Sequence, residues 1–122
     1  MIPFFLLVLA MLAVYQKLRD PLPGFIPGVY IRHECFESGE DWDIVQIYIL
    51  NKNAGVYRII RRGRFEQWMD ETIPEIDYRL GRSTGYYNNE LGCLRENETG
   101  ILLRFDTRIR CLYYGTTRYE KI

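Results

Sequence analysis

A small antiparallel β-barrel preceded by one apolar helix is the fold this sequence predicts, and three observations lead there. Beyond residue 28, short runs rich in Val, Ile, Tyr and Phe alternate with Gly, Asn and Asp breaks at hairpin-like intervals. Several of those breaks have the chemistry of tight turns. The opening residues form an unbroken apolar run unlike anything downstream. At 122 residues the chain is long enough for one modest core and no second domain.

Composition removes two broad classes. Sixteen basic residues balance sixteen acidic ones, so the excess of Lys and Arg expected of a general nucleic-acid binder is missing. With 48% hydrophobic and 15% aromatic residues, the chain lies far from the composition of disordered proteins.

Taken in order, the first element is the run Ile2 to Tyr15, which ends at Gln16-Lys17-Leu18-Arg19-Asp20. As a helix it reaches about 21 Å, short of the roughly 30 Å hydrocarbon core of a bilayer. That length suits a signal-peptide core. No Lys or Arg precedes the run, however, and Ala10 and Ala13 do not form the small-x-small pair of a cleavage site. An uncleaved anchor therefore stands beside a cleaved signal, with Phe4, Phe5, Leu6, Leu7, Leu9 and Leu12 as the membrane-facing residues. Length and lack of polar groups favour either over a buried helix packed on the domain. Residues 1–19 are thus expected to be signal or anchor, on the membrane side of a chain that belongs to the cell envelope.

Residues 20–28 hold Pro21, Pro23 and Pro27, a density that reads as a stiff spacer without helix or central strand. The barrel domain follows over 29–122. Its runs place strands at Val29–His33, Asp43–Leu50, Val56–Arg62, Ile76–Leu80, Gly85–Tyr87, Leu91–Arg95, Ile101–Phe105, Cys111–Tyr114 and Arg118–Lys121. Val45, Ile47 and Ile49 share one face, while Ile44, Tyr48 and Leu50 are almost as apolar on the other. This strand is expected to be buried on both sides, or covered on one by another element such as the N-terminal helix, at the centre of the core. A closed up-and-down barrel manages the strand edges most economically, with a two-sheet β-sandwich as the alternative. Phe65 to Pro74 reads as a loop or short helical turn. Ile47, Ile49, Tyr57, Trp68, Leu103, Phe105 and Tyr113 are large enough to fill the interior, which puts the working surface outside.

Catalytic constellations are scarce. His33 is the sole histidine, and Cys35 two residues on would share its face in a strand, but no third activating group stands at a recognisable spacing. The pair reads as a surface histidine and a structural or free thiol in a polar loop, Glu34 to Asp43. Glu37, Glu40, Asp41 and Asp43 lack the alternation and glycine of a calcium loop and read as a solvated acidic stretch. The cysteines have no zinc-finger spacing, and a plain meander sets Cys93 and Cys111 about 10 Å apart, beyond disulfide reach. No nucleotide or hydrolase motif is present, and Gly81 to Gly85 lacks the strand-to-helix context of a phosphate loop. The expectation is no catalytic set, no metal site and no cofactor.

One basic cluster stands out: Arg58, Arg61, Arg62 and Arg64 with Tyr57 and Phe65, and with Trp68 in the loop beyond. Guanidinium groups beside aromatics suit contacts with planar anions or a protein partner, and a solvated face balanced by Glu66, Asp70, Glu71 and Glu75 is the plainer reading. Arg58 and Arg62 share parity and Arg61 does not, so only part of the cluster can converge.

The segments Gly28-Val29-Tyr30-Ile31-Arg32-His33, Tyr57 to Arg62, Leu112 to Gly115 and Arg118 to Ile122 resemble small exported β-rich proteins of unknown function from Bacteroidota. The resemblance spans most of residues 28–122. It implies an envelope location and a lipocalin-like β fold, and brings no catalytic residue with it. Many of those relatives carry a lipid-attachment cysteine after their signal, whereas this chain has none before Cys35. The sequence thus favours a non-enzymatic module docking on a membrane or a membrane-protein assembly. A carrier enclosing a small apolar ligand and a hydrolase using His33 are the alternatives.

Overall fold

The computed structural model describes residues 6–11, 22–68 and 75–122. Eight antiparallel strands in sequence order close into a barrel: β1 (Gly28–Phe36), β2 (Gly39–Asn51), β3 (Val56–Gln67), β4 (Glu75–Asn88), β5 (Cys93–Glu96), β6 (Leu102–Asp106), β7 (Cys111–Tyr114) and β8 (Thr117–Lys121). Closure is made by β1 and β8, where Tyr30 pairs with Lys121 and Ile31 with Glu120. The meander therefore closes, and the sandwich does not form.

Local chemistry makes the turns. Asn88 Oδ1 accepts from the amides of Glu90 and Leu91, and Asp106 Oδ1 accepts from those of Arg108 and Ile109, each side chain capping the loop it opens. Leu91 consequently belongs to a turn, and β5 starts at Cys93 rather than Leu91.

The core is one layer of inward side chains: Tyr30, Val45, Ile47, Tyr57, Ile59, Leu94, Leu103, Leu112, Tyr114 and Tyr119, all buried. Ile26 joins them with no exposed surface. The proline-rich spacer thus contains a single helical turn, Leu22–Phe25, contrary to the expectation of none. Pro23 fits because the first turn of a helix has no partner for its amide in any case. The turn closes one end of the barrel. Tyr30 donates its hydroxyl proton to Ile26 O at 2.8 Å, Tyr57 to Pro23 O at 3.3 Å, and Lys121 Nζ donates to Phe25 O from above the Phe25 ring.

Of the expected fillers, Ile47, Tyr57 and Leu103 are buried and Phe105 packs against them. Ile49, Trp68 and Tyr113 are not fillers. Ile49 lies beside a register shift near the end of β2 and is 42% exposed, Trp68 follows the end of β3, and Tyr113 takes the outward parity of β7. The double-sided burial expected of β2 is also absent, since Ile44, Tyr48 and Leu50 are exposed.

Strand lengths are unequal. β2, β3 and β4 have 13, 12 and 14 residues against 4 or 5 in β5 to β8, so their far ends run beyond the wall of the barrel. The runs Ile76–Leu80 and Gly85–Tyr87 are one strand, because β4 pairs with β3 without interruption from Gln67↔Glu75 to Val56↔Tyr86. The polar stretch Glu34 to Asp43 is a hairpin rather than a loop, with Cys35 opposite Glu40 and Phe36 opposite Gly39. β3 likewise continues through Phe65 and Glu66, and Trp68 N donates to Ser38 O at 2.6 Å.

In the apolar N-terminal run, Phe4, Phe5 and Leu12 lie outside the described residues. Residues 6–11 are helical, and Leu6, Leu7, Val8, Leu9 and Met11 are all exposed. No helix among the described residues is long and apolar enough to cross a membrane.

Candidate functional site

The extension formed by β1 to β4 has two unlike faces. Strand alternation sends Arg32, Asp41, Asp43, Arg61 and Arg79 inward. They form a ladder of ion pairs: Arg32 with Asp41 at 3.5 Å, Arg79 with Asp41 at 2.8 Å and Arg61 with Asp43 at 2.9 Å. Gly63 makes room for one of them. A Cβ there would sit 3.1 Å from Arg79 Nε, so glycine lets the guanidinium cross β3 to reach Asp41 on β2.

Below the ladder, where the extension meets the core, two polar groups are fully enclosed. Asp43 accepts from Tyr119 at 2.6 Å and from Arg61, whose guanidinium lies over the Tyr114 ring. Burial, and then the Asp43 hydrogen bond, push the Tyr119 hydroxyl up to about 12. Glu96 accepts from Ser83 at 2.5 Å and from Thr99 and Tyr114. Burial alone would raise its pKa, but those three donors and the Arg61 charge outweigh it and hold the carboxyl below its ordinary range. Every buried side-chain polar atom among the described residues has a partner. A network so completely satisfied holds this end of the barrel together.

The outer face of the extension is different. Three rows of outward side chains run across the four strands in register: Cys35, Glu40, Glu66, Ile76; then His33, Trp42, Arg64, Tyr78; then Ile31, Ile44, Arg62, Leu80. His33 stacks on Trp42 with ring centroids 3.7 Å apart and planes 11° from parallel. Trp42, Ile44, Arg62, Arg64 and Tyr78 enclose a shallow groove of about 310 Å³. Tyr78 and Leu80 are 72% and 64% exposed, which marks an apolar surface of the kind that soluble proteins seldom leave uncovered.

This geometry divides the arginine cluster. Arg62 and Arg64 flank the groove, and Arg58 lies further along the same face, opposite Tyr48. Arg61 points into the barrel. Trp68 joins the outer face through Glu66, which accepts from Trp68 Nε1 and from Arg64, both at 3.3 Å.

The acidic residues disperse in the same way: Glu37 sits in the hairpin turn, Asp41 and Asp43 face inward, and Glu40 faces out. His33, Cys35 and Glu40 come together there, with one donor atom from each within 4.8 Å of the others. Spacing rules for zinc missed this trio because two donors lie on one strand and the third on its hairpin partner. The alternation of His33 with Cys35, followed by a turn and an acid, was the available signal. Cys93 and Cys111 are buried and unpaired, as expected from the meander spacing between them, and Cys35 is an exposed free thiol.

No protein-family model, curated protein or solved structure matches the chain.

Proposed function

We propose that this chain is a non-enzymatic interaction module of the cell envelope, tethered through its apolar N-terminal segment and docking on a membrane-protein assembly through the outer face of β2 to β4. The observation that carries the reading is the inverted polarity of the extension. Its inner face is charged and internally paired, while its outer face exposes Trp42, Ile44, Ile76, Tyr78 and Leu80 between Arg62 and Arg64. Buried aromatic and arginine anchors are what protein interfaces use most. The tether rests on residues 6–11, whose apolar side chains are exposed on the helix.

The filled interior favours this over a carrier, because the space a ligand would need is taken by Tyr30, Tyr57, Tyr114, Tyr119 and the aliphatic residues between them. The test is a chain with Arg62→Glu and Arg64→Glu, expressed in its host and purified from solubilised membranes. The substituted chain should stay folded and in the membrane pellet after an alkaline carbonate wash, and should lose a stoichiometric partner that the native chain retains. Identical partners for both chains, or a stoichiometric lipid or metabolite held by the native protein, would count against it.

A further inference from the structure

We propose that His33, Cys35 and Glu40 form a zinc site on the outer face of the β1–β2 hairpin. Cys35 Sγ lies 3.6 Å from His33 Nε2 and 3.8 Å from Glu40 Oε1, and His33 Nε2 lies 3.9 Å from Glu40 Oε2. Zinc bonds of about 2.3 Å to sulfur and about 2.1 Å to nitrogen or oxygen, set at tetrahedral angles, give S–N and S–O edges of about 3.6 Å and an N–O edge of about 3.4 Å. The two sulfur edges already stand within about 0.2 Å of those values. The contact to His33 is made by the other carboxylate oxygen, Oε2, so the Glu40 carboxylate must turn to bring a single oxygen onto both the sulfur and the nitrogen edge.

The donors are held before any metal arrives. Stacking on Trp42 fixes the plane of the His33 ring. Cys35 and Glu40 are register partners across a two-residue turn, and the hairpin tip is tied to β3 by the Trp68 N–H to Ser38 O bond. Gly39 belongs to the same brace, because a Cβ there would collide with the Glu66 carbonyl. Such preorganisation lowers the ordering cost of binding.

Ligand chemistry selects the metal. A thiolate and an imidazole are poor ligands for magnesium and calcium, and a compact tetrahedral set with one carboxylate suits zinc better than the tetragonal field copper(II) prefers. Three protein ligands leave a fourth position facing solvent, for water or a partner's donor. The thiol gives up its proton when it binds, so one proton is released per zinc at a pH where Cys35 is protonated.

The full chain in metal-free detergent solution with a phosphine reductant allows two independent measurements. Cobalt(II) titration should give a thiolate-to-metal charge-transfer band saturating at one equivalent and bleached by zinc. Cys35→Ser should abolish the band. His33→Gln and Glu40→Gln should each weaken zinc binding by at least about 100-fold, beyond what loss of an outer hydrogen-bond partner costs. The second measurement needs no variant: Cys35 is the exposed thiol and the other two are buried, so stoichiometric zinc should block its alkylation in the native chain. No charge-transfer band, a band that survives Cys35→Ser, or alkylation indifferent to zinc would overturn the site.

Discussion

Replacing Asp43 with Ala probes the link between the barrel core and the extension. The Asp43 side chain is 5% exposed and accepts two charge-related bonds, from the fully buried Tyr119 hydroxyl at 2.6 Å and from Arg61 at 2.9 Å. These bonds are not equal in cost. The Arg61 side chain is 44% exposed, so its guanidinium recovers water and its share falls to the about 0–1 kcal/mol of a surface pair. Tyr119 has no such escape, and an enclosed hydroxyl stripped of its acceptor costs about 1–3 kcal/mol. Together they give about 1–4 kcal/mol, and the complete burial of Tyr119 puts Asp43→Ala at about 3 kcal/mol on that scale. Asp43→Asn keeps an acceptor for Tyr119 and should cost about 1 kcal/mol. In a domain of this size each kcal/mol moves the midpoint by about 4–8 °C, so Asp43→Ala should lower Tm by roughly 12–24 °C and Asp43→Asn by roughly 4–8 °C. Thermal unfolding of the full chain in mild detergent, followed by near-UV circular dichroism, reads both. An alanine variant within about 5 °C of the native chain, or an asparagine variant as damaging as alanine, would refute the assignment of the cost to Tyr119.

Gly85→Ala would place a Cβ 2.8 Å from Leu94 Cγ and 3.1 Å from Ile59 Cδ1, an overpacking worth about 1–3 kcal/mol in urea unfolding. Gly81→Ala, whose Cβ would meet only Arg61 Cβ at 3.8 Å, should stay within about 0.5 kcal/mol of the native chain. Ile26→Ala should cost about 2–5 kcal/mol by emptying a fully buried site, whereas Leu9→Ala, on an exposed helix, should leave the urea midpoint unchanged. Stability against pH should fall at both extremes. Tyr119 ionises near 10 when unfolded and at about 12 when folded, so its contribution is intact below pH 10 and lost between 10 and 12, and Tyr119→Phe should make that limb shallower while Tyr30, Tyr57 and Tyr114, also raised by burial, keep the rest of it. Glu96 is shifted the other way, so its contribution is intact above the ordinary carboxylate range and lost as acid protonates it, and Glu96→Gln should remove that loss.

Much of the barrel was legible because half-buried strands advertise themselves by alternation. Val45 and Ile47, which share the inward face of β2, carried that signal. Three features were not legible, each for a physical reason. The Leu22–Phe25 turn hid among prolines because its stability comes from Ile26 entering the core, a tertiary effect. The length of β4 was masked by Gly81 to Thr84, which look like a turn in isolation and are held extended by continuous pairing with β3. The extension was hidden because its polarity is reversed. Charges that pair inward, such as Asp41 and Asp43, read from sequence as a solvated acidic stretch, and the outward Ile44 and Tyr48 read as core. The same reversal concealed the outer face, where Arg62, Arg64 and Trp68 were foreseen but Trp42, Ile44, Tyr78 and Leu80 were not. His33 and Cys35 were visible as a pair, and Glu40 became their neighbour only once the acidic stretch folded back as a hairpin.

Site-specific photocrosslinking in the native host tests the docking surface most directly. A photoreactive residue replacing Tyr78, in the middle row of the exposed outer face on its β4 edge, should give one discrete adduct with a membrane protein, and the same residue replacing Arg118 on β8 should give none. Arg62→Glu with Arg64→Glu should erase the Tyr78 adduct while the chain remains folded. Equal adducts from both positions, or none from position 78 in cells that retain the folded protein, would contradict the claim that this face is where the molecule works.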